Sequence, residues 1–301
     1  MIDEDDDALE ALERRLTPTL TLGQRELVRV RLATISPGLD GRRAARIAAV
    51  RAALRALDDR DFGALRADLE AGRFTVADWR ARMATTPSYE VDAWTRTLFG
   101  FQDVPDTTIA LSADMVSYVA THLQQIVEMA AELGPDDVFY DLGSGLGFVP
   151  ILVAWLTGAR AVGIELEPRF VAFARERAAA LGLSDRVRFV EGDLREATLD
   201  DATAVFLFYP VRGALLEQVI ERVRLGVAGR AVRVYSLGLS GPPLVAQPWI
   251  TARGQSPSGL LGLMSRADAP APEPRRPAKP RRPAKPPRPA KPPRPAKPRA
   301  R

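Results

Sequence analysis

The sequence predicts an α/β fold built on a mostly parallel sheet, and three observations carry that prediction. Between residues 138 and 237, short apolar runs alternate with helical stretches, the pattern of strand–helix–strand units whose right-handed crossovers lay strands side by side. A glycine-rich turn, Gly143-Ser144-Gly145-Leu146-Gly147, joins the first run to its helix. Acidic residues, Asp141, Glu165 and Asp193, stand at the ends of three successive runs, on the rim where open parallel sheets take their ligands.

Composition sets the outer bounds. The 301 residues, 46% of them apolar, allow one large or two modest domains with a proper core. The absence of cysteine excludes disulfides, thiolate zinc sites and cysteine nucleophiles, and a single histidine, His122, excludes histidine-rich metal sites, so no metal is expected. The start is acidic (Asp3-Glu4-Asp5-Asp6-Asp7) and the longest apolar run, 148–156, is too short to span a bilayer, so a soluble cytoplasmic protein is expected.

Residues 1–105 read as a helical region, with helices predicted at 8–16, 23–32, 41–57, 62–69, 76–83 and 91–99 and breaks at Pro18, Pro37-Gly38, Gly72 and Pro87. Ile47, Val50, Leu54 and Leu57 share one helix face. Trp79, Tyr89 and Trp94 recur at helical spacing from other apolar residues and are expected in the core of a small bundle, with an exposed partner surface as the alternative. No catalytic constellation stands out here. Ser112 is placed to cap a long helix over 113–133, closed by Gly134-Pro135, with His122 beside its apolar face as a surface residue.

The sheet follows in order. Val138-Phe139-Tyr140-Asp141-Leu142 is the first strand, and its glycine turn opens a helix with Pro150 in the first turn, where a missing N–H has no intrahelical partner to lose. Strands are predicted at 161–164, 187–190, 203–208 and 231–237, helices at 169–181 and 213–224, and a closing antiparallel hairpin from 244–250 and 259–264.

The spacing also bears on the ligand. The turn is GxGxG, whereas the dinucleotide fingerprint needs its third glycine one position later, where Phe148 stands. Asp141 has the wrong charge for a pyrophosphate and the right one for an ammonium or sulfonium. Glu165, 24 residues after Asp141, is placed to hold ribose hydroxyls, and Asp193 to accept from an adenine amino group.

The run Asp141-Leu142-Gly143-Ser144-Gly145-Leu146-Gly147, with Gly163-Ile164-Glu165 and Glu191-Gly192-Asp193, resembles the class I, seven-strand S-adenosylmethionine-dependent methyltransferases over about 107–266. The resemblance implies a Rossmann-like, mostly parallel seven-strand sheet and S-adenosyl-L-methionine as cofactor. It implies cofactor contacts from Asp141, Gly143, Ser144, Gly145, Gly147, Glu165, Asp193 and Leu194, with Thr108 in a covering loop. Domains are accordingly expected at 1–105, 106–266 and 267–301.

The fourth strand ends in Phe208-Tyr209-Pro210-Val211, not in the Asn/Asp-Pro-Pro-aromatic motif of base-amino methyltransferases, and the chain contains no asparagine. What remains resembles protein lysine methyltransferases of the nucleosomal disruptor-of-telomeric-silencing type, which implies a protein amine as acceptor. Methyl transfer asks a protein to align the nucleophile and keep an amine unprotonated, and aromatic walls suit that; Tyr209 is the catalytic candidate, with Tyr140 beside it. A small-molecule methyltransferase and a nucleic-acid-binding protein with a non-catalytic fold stay open as alternatives.

The end of the chain is four hexads over 275–298, two of Arg-Arg-Pro-Ala-Lys-Pro and two of Pro-Arg-Pro-Ala-Lys-Pro. Residues 271–301 carry net +11 in a chain of net +4, leaving about −7 for the rest, and hold all four lysines (Lys279, Lys285, Lys291, Lys297). A segment of this composition cannot bury a core and is expected to be a disordered, polyproline-like arm. Nonspecific nucleic-acid binding through 275–301, and with it a place at the nucleoid, is one expectation; a solubilising tail is the other.

Overall fold

A computed structural model describes residues 4–35 and 41–268. The hexad arm and the Pro37-Gly38 break lie outside the described residues.

Five helices come first: α1 (Glu4–Arg15), α2 (Leu22–Leu32), α3 (Arg42–Glu70), α4 (Val76–Thr85) and α5 (Val91–Phe99). Thr21 and Thr75 start α2 and α4 through reciprocal capping boxes with Gln24 and Asp78. The two helices expected at 41–57 and 62–69 are one. Of the charged residues between them, Asp58 is buried against α2, where it accepts from Arg25 (3.0 Å) and Arg29, and Arg25 also bonds Asp61. Trp79 and Trp94 are in the core as expected, whereas Tyr89, 81% exposed, is not.

The sheet consists of β1 (Val138–Leu142), β2 (Arg160–Glu165), β3 (Val187–Glu191), β4 (Ala204–Phe208), β5 (Arg233–Leu237), β6 (Ile250–Gln255) and β7 (Leu261–Ser265), in the order β3-β2-β1-β4-β5-β7-β6. β1 to β5 are parallel, and β7 inserts antiparallel between β5 and β6. The Rossmann-like seven-strand expectation therefore holds. The hairpin is shifted from the expected 244–250: Pro242 and Pro243 open a short helix, α10 (Gly241–Val245), and β6 is an edge strand of mostly exposed, polar residues with an irregularity between Ala252 and Gly254.

The helices α6 (Leu123–Ala130), α7 (Phe148–Thr157) and α8 (Pro168–Ala180) cover one face with the N-terminal helices, and α9 (Gly213–Val227) covers the other. One core runs through Trp79, Trp94, Phe99, Phe139 and Phe206, so α4 and α5 share their packing with the sheet.

The long helix expected over 113–133 is the clearest departure. α6 begins only at Leu123, capped at His122, whose backbone N–H donates to Gln125 while Asp92 accepts from Leu123 N and His122 Nδ1. Upstream, backbone groups find tertiary partners instead: Val116 N donates to Pro210 O (3.1 Å), Arg212 N to Asp114 O (2.8 Å), and Met115 bridges Val211. Tertiary bonding has overridden helix propensity, turning 107–122 into a strap across the top of the sheet.

Candidate functional site

At the carboxyl ends of β1, β2 and β4 lies a cavity of about 930 Å³. Its floor is the end of β1 and the glycine turn, and its roof is the strap. Asp141, Gly143, Ser144, Gly145, Glu165, Asp193, Leu194 and Tyr209 all line it.

The turn is shaped for close approach. Gly145 (φ +53°) lies under Tyr118, whose ring carbons would be 2.5 Å from any added Cβ; an L side chain here would be strained and would collide. Gly147 (φ +82°) does not line the cavity. A Cβ at this position would come within 2.5–2.6 Å of Phe189 and Ala174, so the bare glycine lets α7 pack close to β3 and α8. Gly143 sits beneath Pro210.

Glu165 closes the turn from the side. Its Oε2 accepts from Gly145 N (2.9 Å), and its Oε1 from Leu166 N and Glu167 N (2.8 and 2.9 Å). Asp141 is 3% exposed and makes no hydrogen bond among the described residues, and burial, with Glu165 nearby, pushes its carboxyl well above the usual range. Ser144 Oγ is likewise buried without a partner among the described residues. Asp193 is paired with Arg195 through both oxygens, which holds its carboxyl below the ordinary value.

Thr108 acts one layer back. Its N–H and hydroxyl donate to Glu167 (2.7 Å each), Ile109 N adds a third bond (2.9 Å), and its neighbours Thr107 and Ile109 reach the cavity wall. Burial opposes ionisation of Glu167, but these bonds and one from Arg169 N together bring its pKa down to about 2. Tyr140 is not at the site. Alternation along β1 turns its ring to the α9 face, and its hydroxyl donates to Asp201 (2.7 Å) in the turn before β4.

Sequence reasoning missed Tyr118, Glu167 and Phe170. Tyr118 covers the turn and packs edge-on to Phe170, centroids 5.7 Å apart. Neither Tyr118 nor Phe170 has a local signature; the signal for Glu167 was its place just before Pro168, an N-cap position.

A buried carboxyl without a hydrogen-bond partner among the described residues and an orphaned hydroxyl beside it fit the amino-acid end of S-adenosylmethionine, whose ammonium would meet Asp141. Glu165 and Asp193, the residues expected to hold its ribose and adenine, line the same cavity.

Comparison with known proteins supports S-adenosylmethionine as the cofactor. Residues 141–226 match the family described as the ANTKMT methyltransferase domain. A 23S rRNA (uracil(1939)-C(5))-methyltransferase, RlmD, from Acidithiobacillus ferrooxidans is 35% identical over 130 residues, 41% of this chain and 28% of that protein. A release factor glutamine methyltransferase from Chlorobaculum tepidum is 28% identical over 106 residues, 35% of this chain and 36% of that protein. The chain thus spans about a third of the curated relatives it matches. An RNA methyltransferase from Salinibacter ruber, solved with S-adenosyl-L-homocysteine, is 30% identical over 52% of this chain and 97% of that one, with a TM-score of 0.42. By the family match over residues 141–226 and this site, the sheet-bearing part of the chain is an S-adenosylmethionine-dependent methyltransferase domain.

Proposed function

We propose that the protein methylates the side-chain amine of a protein lysine, with S-adenosylmethionine supplying an already activated methyl group. The observation that carries this reading is the far half of the cavity, between the strap and the loop after β4. Its wall there is Met115, Val116, Phe208, Tyr209, Val211 and Leu215, and Asp114 brings a carboxylate among them.

Tyr209 is the one non-glycine residue with positive φ (44°) among the described residues, and it hands the chain to Pro210 above Gly143. Strain of that kind is kept where the surroundings enforce it, and here it brings the end of β4 over the cofactor turn. Phe208 and Tyr209 exclude water from an incoming amine, which favours its neutral, nucleophilic form. Asp114, set over the start of α9, can accept an N–H of that amine and orient its lone pair.

The acceptors named for the relatives need other equipment. Attack at a uracil ring carbon calls for a nucleophile to activate the ring, and this chain has no cysteine. An amide nitrogen needs polar groups to draw out its lone pair, whereas the far wall is mainly apolar and aromatic, with Gln218 as its one side-chain amide. An amine needs only desolvation and alignment.

The test is labelled methyl transfer from S-adenosylmethionine into cell lysate, followed by separate protease and nuclease digestion. Label released by protease and recovered as methyl-lysine is expected. Label released by nuclease, or found in the small-molecule fraction, overturns the reading.

A further inference from the structure

The N-terminal helices carry no residue on the cavity wall, yet one of their side chains reaches the residues that form it. Arg96, in the last turn of α5, lays its guanidinium 4.3 Å above the ring of Phe148, the first residue of α7. Its Nη2 donates to the carbonyl of Thr121, at the end of the strap. Phe148, Thr121 and Tyr118 all line the cavity. Tyr118 in turn lies on Gly145, close enough that no side chain could replace that hydrogen. The guanidinium is also close enough to Tyr118 for its charge and hydrogen bonding to work against the rise in phenol pKa that burial causes.

We propose that Arg96 is a positioning residue for the cofactor: by joining Phe148 to Thr121 it holds the strap so that Tyr118 closes over the glycine turn. The helical region is then a working part of the cofactor site. Three features make Arg96 suited to this. A planar guanidinium can stack on an aromatic face and donate in its own plane at the same time, which a lysine ammonium cannot do. Both contacts are to parts of the cavity wall that belong to different segments of the chain, α7 and the strap. And strap residues 117–121 have few other anchors, since the bonds to Pro210 and Arg212 lie upstream at 114–116.

The inference rests on the cofactor reading of the cavity, and the experiment separates the two. Binding of S-adenosylhomocysteine to the full-length protein is measured by calorimetry for the wild type, Arg96→Ala, Tyr118→Ala and the double variant. Wild-type protein that does not bind refutes the cofactor reading itself. With wild-type binding in hand, each single change is expected to weaken affinity about tenfold, and the double change no more than either alone, because both undo one contact. Arg96→Lys keeps the charge and a donor and should recover part of the loss, whereas a merely structural loss of packing would show in thermal unfolding without ligand and not respond to the retained donor. Should Arg96→Ala fail to fold, Arg96→Gln and Arg96→Lys carry the same cycle. Unchanged affinity in the Arg96 variants, or losses that add with Tyr118→Ala, overturns the proposal.

Discussion

Asp141 is held at a cost to the fold. Its pKa in the folded chain is raised above the unfolded value of 3.8, so the folded state binds this proton more tightly than the unfolded one, and stability falls as pH rises from that value toward the folded pKa. Asp141→Asn should therefore raise the unfolding temperature at neutral pH while weakening S-adenosylmethionine by about tenfold or more, since the ammonium loses its counter-charge. Paired thermal melts and calorimetry check this; a variant that is both less stable and unimpaired in binding contradicts it. Glu167 has the opposite sign. With its pKa lowered from 4.5 to about 2, its contribution is complete above pH 4.5 and is lost as pH falls toward 2. Glu167→Gln should loosen the strap at 107–109 and flatten that acid dependence, as read by limited proteolysis across the same pH range. Asp141, Glu165 and Asp193 were legible in sequence because strand ends and a glycine turn mark them. Tyr118 was not, because its place over Gly145 is set by Pro210, Val211 and Arg96, which are remote in sequence from it.

At the scale of elements, the join between α2 and α3 is the most exposed to mutation. Asp58 is fully buried between two arginines of α2, so Asp58→Ala removes the carboxylate they share and leaves Arg25 with Asp61 alone and Arg29 with only Glu26 and Asp103 at 3.7 and 3.6 Å. Breaking such a pair costs about 3–5 kcal/mol, measurable as a fall in the urea midpoint. Replacing Asp58 and both arginines together by apolar residues of similar size should recover most of that loss. The strands β1 to β5 could be read in order from apolar runs between turn residues, because a central parallel strand is buried on both faces. β6 could not, since its exposed Thr-Ala-Arg-Gly-Gln run carries no apolar signal. The strap was misread for the converse reason: Met115, Val119 and Leu123 have helical spacing, but the backbone between them bonds to the loop after β4, and Val119 is left exposed.

For the whole molecule, charge is the property that separates the two parts of the chain. Residues 271–301 hold +11, against about −7 in the remainder, and we propose that this arm binds nucleic acid through phosphates alone. Affinity for duplex DNA should then fall with salt at a log–log slope of about −0.9 for each phosphate contacted, be indifferent to sequence, and vanish when the chain is ended at 268. Equal binding by the shortened protein would place the site in the acidic body. Methyl transfer to a free peptide should survive the same truncation if the arm only recruits.

The strap is tied at three places, to Glu167 through Thr108 and Ile109, to the loop after β4 through Val116 and Asp114, and to Arg96 through Thr121. A roof fastened this way makes passage in and out a matter of rates. Where release of the spent cofactor requires one set of these bonds to open, turnover is paced by release, and the expected signs are a burst in the first cycle and a steady rate that slows as solvent viscosity rises.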